Sequence, residues 1–331
     1  MSNNDSKPGS SAAPPAPVLC LAFNRPDCFS RTLEALKRAG PREYFIAVDG
    51  PRANRPADAV ACDEVRRLAR SVDWAARLNL KLEERNLGCG PAISAAISWA
   101  LSRVPEVIII EDDCLPDPSF LRLCDELLAR YRDDTRVMQI GGSNWGAAPA
   151  RFAGHSYAFT SFAPVWGWAT WRRAWELYDF ALESWPRVRS SGLAEGMSVS
   201  PRFRRMLEQD WENVLAGRGT WDHQWQYTVL RHHGLSVCPA RNLVQNIGFA
   251  GGGTQLQSAD RILSRVRLEH LEFPLSHPPE VAHSASVESV FEQVYWQKFG
   301  WAARIYRWVI RVPVLGPLLR RVARAVVPRP A

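Results

Sequence analysis

Short apolar runs alternate with helical periodicity from Pro17 to about Gly142. Residues 18–23 (VLCLAF) read as a buried strand, after which Asn24-Arg25-Pro26 turns the chain. Asp27 is placed to cap a helix carrying Phe29, Leu33 and Leu36 on one side, with Gly40 just past its end. Residues 44–48 form a second apolar strand ending at Asp49-Gly50, and Val60, Val65 and Leu68 mark a helix over 58–71. Leu78, Leu80 and Leu82 alternate as a third strand, which leads into the loop Arg85-Asn86-Leu87-Gly88 and a helix over 92–101. Residues 107–110 make an uninterrupted apolar strand running straight into Glu111-Asp112-Asp113. A helix over 119–131, capped by Ser119, and a strand over 137–140 complete the series.

This alternation predicts an α/β fold, a Rossmann-like and mostly parallel sheet with helices on both faces. Ligands of such sheets bind beyond the carboxyl ends of the strands. Asn24, Asp49, Arg85 and the three acids all fall at those ends, so four separate strands point to one site. After Gly142 the alternation stops. Residues 143–260 carry most of the chain's 14 tryptophans and read as an irregular aromatic region with a few helices, and 255–290 read as loop.

Composition narrows the class. A chain of 331 residues, 46% hydrophobic and 23% charged, suits a soluble globular protein, and no stretch reads as a membrane span. The seven cysteines include no C-x-x-C pair, so neither a zinc site nor a disulfide framework is expected, and the thiols read as reduced and cytosolic. Residues 1–16, polar and proline-rich, read as a disordered leader rather than a signal peptide. The net charge of +7 has one source, because 301–331 hold seven arginines and no acid. Without them, the basic residues of the body only balance its 34 acids, which argues against nucleic acid as a partner.

Three consecutive carboxylates at a strand end repel one another unless a cation sits among them. Hard oxygen ligands at this spacing suit Mg²⁺ or Mn²⁺, which keep several waters and share their shell with substrate phosphates. The plainer alternative is a solvated turn whose charge favours the next helix through its dipole. Further on, Trp221, Trp225 and Val229 recur at helical spacing behind Thr220, which predicts a helix capped by Thr220 with Asp222 in its first turn. Asp222 is then either a helix N-terminal charge or a carboxylate set to take a proton from an attacking hydroxyl. Trp166, Trp168 and Trp171, in a Gly-containing loop, suit stacking on a sugar or a second aromatic core.

The stretch 18–145 resembles the nucleotide-sugar-binding half of GT-A glycosyltransferases, bacterial family-2-type enzymes above all. The likeness rests on Ala22-Phe23-Asn24-Arg25-Pro26, Val48-Asp49-Gly50, Arg85-Asn86-Leu87-Gly88-Cys89-Gly90, and Glu111-Asp112-Asp113-Cys114 followed by Pro118-Ser119-Phe120. The acid cluster and Gly142-Ser143-Asn144 also resemble the Golgi N-acetylglucosaminyltransferases that begin complex N-glycan branching. The similarity continues through Trp166-Gly167-Trp168-Ala169-Thr170-Trp171 and Trp221-Asp222-His223-Gln224-Trp225 to Gly248-Phe249.

The resemblance implies a GT-A fold in which 17–145 bind a nucleotide sugar and 146–260 form the acceptor and catalytic half, with 261–300 as a loop-rich connector. It implies that Phe23, Asn24, Arg25 and Asp49 face the nucleoside and that Arg85 lies near the base or diphosphate. Glu111 and Asp112 join those contacts, Asp112 beside the ribose and donor sugar. Asp113 matches the last acid of a D-x-D-like motif, the direct ligand of Mn²⁺ or Mg²⁺, and Asp222 matches the base of an inverting transfer. Trp166, Trp168, Gly252 and Thr254 fall to acceptor contacts or a lid, although Gln255 stands where relatives often carry a histidine. On the residues alone, Asp49 is equally an Asp-Gly turn, and Arg85 equally a surface partner of Glu83 or Glu84.

The tail has its own pattern. Trp301, Ile305, Trp308, Val309 and Val312 share one helical face, and Arg304, Arg307 and Arg311 another. That suits a basic amphipathic helix on an anionic membrane surface, or a terminal helix packed on the domain. The expectation is a metal-dependent transferase, cytoplasmic and peripherally membrane-bound, that moves a sugar from a UDP-sugar to a glycan, lipid-linked or other acceptor hydroxyl. A sugar-phosphate nucleotidylyltransferase also pairs a nucleotide fold with metal-binding acids, but Asn24-Arg25-Pro26 is unlike its glycine-rich first loop. A carbohydrate-binding relative without chemistry has no need of an intact Glu111–Asp113 cluster.

Overall fold

The computed structural model describes residues 14–191, 199–248 and 263–299. Residues 1–13 of the leader, Gly252, Thr254 and the arginine tail 301–331 lie outside the described residues. The leader's expected end at residue 16 is corrected, because Ala16 is buried and its N–H donates to Asp125 at 2.8 Å.

The sheet strands are β1 (Val18–Ala22), β2 (Glu43–Val48), β3 (Arg77–Leu82), β4 (Glu106–Glu111), β6 (Val137–Gly141), β7 (Tyr157–Thr160), β8 (Trp168–Trp171) and β9 (Leu235–Pro239). They lie in the order β3-β2-β1-β4-β8-β6-β9-β7. The β3-β2-β1-β4 half is parallel throughout, whereas β8 runs antiparallel to both β4 and β6, and β7 antiparallel to β9. Two short strands, β5 (Cys114–Pro116) and β10 (Val244–Asn246), pair antiparallel beside it. The α/β architecture with a mostly parallel sheet therefore stands. The chain winds outward from β1 to β3 and then returns to the far side of β1, so a topological switch lies between β1 and β4. Crevices of that kind are where α/β sheets bind ligands.

The four helices of the first half are α1 (Pro26–Arg38), α2 (Pro56–Arg70), α3 (Cys89–Leu101) and α4 (Pro118–Arg130). Three begin at a proline, whose fixed φ and missing N–H suit the first turn. This corrects two expectations about caps. Asp27 sits inside the first turn of α1, and Asp117 rather than Ser119 caps α4, its carboxylate accepting from the Ser119 N–H at 2.9 Å. Phe29, Leu33 and Leu36 of α1, with Phe120 and Leu127 of α4, bury one face of the sheet, and Ile93 and Ile97 of α3 bury the other.

The second half is more regular than its sequence suggests. Its helices are α5 (Arg172–Trp175), α6 (Trp185–Ser190), α7 (Pro201–Leu215), α8 (Trp221–Arg231) and α9 (Ala285–Phe299). Three of its segments, β7, β8 and β9, belong to the main sheet. All four residues of β8 are buried, so no polar alternation marks it. The segment over 261–300 is not loop throughout, because Val287, Phe291 and Val294 of α9 close a second aromatic core with Trp145, Phe162 and Trp185.

Candidate functional site

Parallel register builds the site. Leu21 of β1 lies opposite Glu111 of β4, so the turn after β1 and the acids after β4 leave the sheet side by side. The Phe23 N–H donates to Asp112 at 3.2 Å, and the Thr32 hydroxyl of α1 donates to the Asp112 carbonyl at 2.9 Å. The Arg25 guanidinium spans the cluster. It pairs with Asp112 and, at 2.5 Å, with Asp113. Both carboxylates are buried, at 2% and 4% exposure, while the Arg25 side chain is 28% exposed and reaches solvent.

Charge does not balance here. Burial pushes Asp112 up to about 6, against the opposing pull of Arg25 and with a further push from Asp113. Glu111 is driven well above the ordinary carboxylate range by burial, then by Asp113, Asp112 and Asp222. Asp222 is thus near enough to be felt at the acid cluster. It reaches that place because α8 packs on α3, with Trp221 and Trp225 buried against Ile93 and Ile97. Thr220 precedes α8 as expected, but its hydroxyl bonds to the Asp222 carboxylate rather than to a backbone N–H. His223 turns the other way, its Nδ1 lying 4.0 Å from Asp210 on α7.

Asp49 and Arg85 differ from each other. Asp49 is 9% exposed and organises the loop after β3, accepting from the N–H groups of Gly50, Leu87 and Gly88 and from the Asn86 amide at 2.8 Å. It is therefore a loop-ordering residue whose oxygens are already engaged. Arg85 is exposed, and no ion pair or hydrogen bond holds its side chain among the described residues. Glu83 pairs instead with Lys81, at 2.7 Å. The Arg85 backbone is pressed against the β2 turn, where a Cβ on Gly50 would lie 2.3 Å from its carbonyl carbon.

Asn24 is also engaged. Its amide donates at 2.8 Å to Asp58 of α2, which Arg52 grips with two guanidinium nitrogens. That grip, led by the Arg52 hydrogen bonds, holds Asp58 down at about 2. The Arg52 guanidinium in turn lies 5.2 Å from the centre of the half-buried Phe23 ring. Sequence reasoning missed Arg52 and Asp58, since an Arg and an Asp six apart across a loop carry no periodic signal.

The aromatic expectations need correction. Trp168 is fully buried in β8, stacked near Trp221 at 6.1 Å and tilted against Trp225 at 5.4 Å, so it is core and not an acceptor surface. Trp166 is half-buried and packs between two apolar clusters. The physical reason is β8 itself, which runs between β4 and β6 with both faces covered.

The donor set suits a hard cation shared with a ligand. Among the described residues no three His, Cys, Asp or Glu side chains converge into a ready-made cage. Mg²⁺ and Mn²⁺ need none, since they bind through one or two carboxylates and fill the rest with water and phosphate oxygens. Gly248 leaves the required room. A Cβ there would lie 2.2 Å from Asp113 Oδ2 and 3.0 Å from Arg25 Nη1. The β5–β10 pairing brings this glycine over the cluster, with the Ile247 N–H donating to the Asp113 carbonyl at 2.7 Å. Comparison with models of known families finds no match for this chain, and comparison with curated proteins finds none either.

Proposed function

We propose that the protein is a GT-A-type glycosyltransferase that takes its sugar from a nucleotide diphosphate sugar. One observation supports this most: at the switch point of the sheet, buried Asp112 and Asp113 are bridged by Arg25, with Asp222 close enough to raise Glu111. In this reading Arg25 and the exposed Arg85 meet the diphosphate, and Asp112 meets the ribose and donor sugar. A divalent cation at Asp113, when bound, neutralises the charge that grows on the departing diphosphate. Asp222 accepts the proton of the acceptor hydroxyl as its oxygen bonds to the anomeric carbon. The bond from that carbon to the diphosphate oxygen breaks on the opposite side, and configuration inverts.

Titration of UDP with and without Mn²⁺, beside turnover of Asp222→Asn, tests the reading. Mn²⁺-dependent UDP binding is expected in both proteins, with turnover in the variant lower by about two to four orders of magnitude. Absence of UDP binding, or near-normal turnover in the variant, overturns it. The acid-free segment 301–331 supports attachment to an anionic membrane surface. Deleting it is expected to abolish sedimentation with phosphatidylserine vesicles and leave UDP binding intact. Among the described residues no helix is long and apolar enough to cross a membrane.

A further inference from the structure

With Trp168 in the core, an acceptor needs another surface, and a cavity of about 340 Å³ lies at the start of α8, walled by Thr220 and Trp221, the two residues before Asp222. It opens between the start of α3 (Gly90 and Pro91), the segment at Phe180, the end of α7 (Leu215) and the start of α8 (Thr220 and Gln224). Its volume falls at the lower end of small-molecule clefts, about 300–1,000 Å³. Thr220 connects it to the chemistry, since the hydroxyl that holds the Asp222 carboxylate belongs to a residue of its wall.

Three features of the wall define the occupant. First, no charged side chain among the described residues lines it, so an anionic group would enter without compensation and lose its hydration. Second, Phe180 and Leu215 present apolar surface while 40% and 47% exposed, which the flat C–H face of a sugar ring would cover. Third, Gln224 is 6% exposed, and although its Nε2 donates to the Phe180 carbonyl at 3.0 Å, its buried Oε1 has no partner among the described residues. A buried acceptor without a donor is unfavourable, and a ligand hydroxyl would satisfy it once the Gln224 side chain turns its Oε1 into the cavity.

We infer that this cavity is the acceptor subsite and that it takes a neutral, hydroxyl-bearing sugar ring, one hydroxyl donating to Gln224 Oε1. The inference rests on the transferase reading for its role and on the wall itself for its ligand. Anionic sugars and sugar phosphates are excluded from it by the same uncharged lining.

The test is saturation-transfer NMR on the full chain with methyl glucoside, methyl galactoside and methyl mannoside, against glucuronate and glucose 1-phosphate. Neutral glycosides are expected to bind and the two anions not. Gln224→Leu removes the acceptor and Leu215→Asp places a charge at a position that is 47% exposed. Each should weaken the neutral probes by about tenfold, on the scale of one lost buried hydrogen bond. No binding by any neutral glycoside, equal binding of the anions, or unchanged affinity in Leu215→Asp overturns the inference. UDP titration in parallel separates the two ideas. UDP binding without glycoside binding removes the subsite alone, and glycoside binding without UDP binding removes the nucleotide reading while the sugar site stands.

Discussion

Replacing Arg25 with methionine tests the electrostatic argument directly. The substitution keeps most of the apolar stem and removes the only guanidinium among the described residues that pairs with Asp112 and Asp113. Both carboxylates are almost fully buried, and Asp222 adds negative charge within range. Breaking one side of a buried pair costs about 3–5 kcal/mol. Because the arginine is 28% exposed, water reaches its end of the pair, and about 2–3 kcal/mol is the better expectation near neutral pH. The loss must depend on pH. Asp112 already sits at about 6 with Arg25 opposing its protonation, so without Arg25 its folded value rises further. A carboxyl that binds its proton more tightly when folded loses stability as pH climbs from the ordinary value near 4 to the raised one. Urea unfolding of both proteins at pH 5 and pH 8 reads this out, and the variant's deficit should be clearly larger at pH 8. Mn²⁺ with UDP should recover part of it. An equal deficit at both values, or none at pH 8, would refute the charge-imbalance argument.

The other predictions concern residues around the acid cluster and the turn after β1. Asp58→Asn is expected to cost about 1–3 kcal/mol above pH 4, as expected for a charge-assisted bond lost in a nearly buried setting. Because Asp58 is held at about 2, wild type should lose that advantage as pH falls from 4 toward 2, and acid unfolding curves that coincide at pH 7 would contradict this. Gly248→Ala should leave the sheet intact yet weaken Mn²⁺-dependent UDP binding at least about tenfold, since its Cβ would fall 2.2 Å from Asp113 Oδ2. An isothermal titration indistinguishable from wild type would show that Gly248 only packs.

The strand ends were legible because their physics is local. A parallel strand buried on both faces has to be apolar along its length, so polar residues immediately after it stand out. Asn24, Asp49 and Glu111–Asp113 were found that way. Sequence did not reveal which of them were free for a ligand. Asp49 reads equally as a ligand contact or an Asp-Gly turn, and it is consumed by that turn and the loop after β3. Arg85 reads equally as a diphosphate contact or as half of a surface pair with Glu83 or Glu84, and it is unpaired among the described residues, where Lys81 reaches Glu83. Both outcomes follow from which neighbour the fold brings closer, which spacing along the chain does not encode.

The tryptophans failed for a different reason. A four-residue strand such as β8 is too short to display a period, and burial of all its residues removes the polar alternation that would reveal one. Aromatic residues between glycines then look the same whether they line a binding loop or fill a core. Only the antiparallel insertion of β8 between β4 and β6 decides it. The same insertion carries Trp168 against Trp221 and Trp225, and so fixes where α8 begins. Asp222 therefore comes within electrostatic range of the acid cluster through the packing of a buried aromatic stack. A substitution such as Trp168→Ala should accordingly act on turnover through the position of Asp222, well beyond its effect on donor binding.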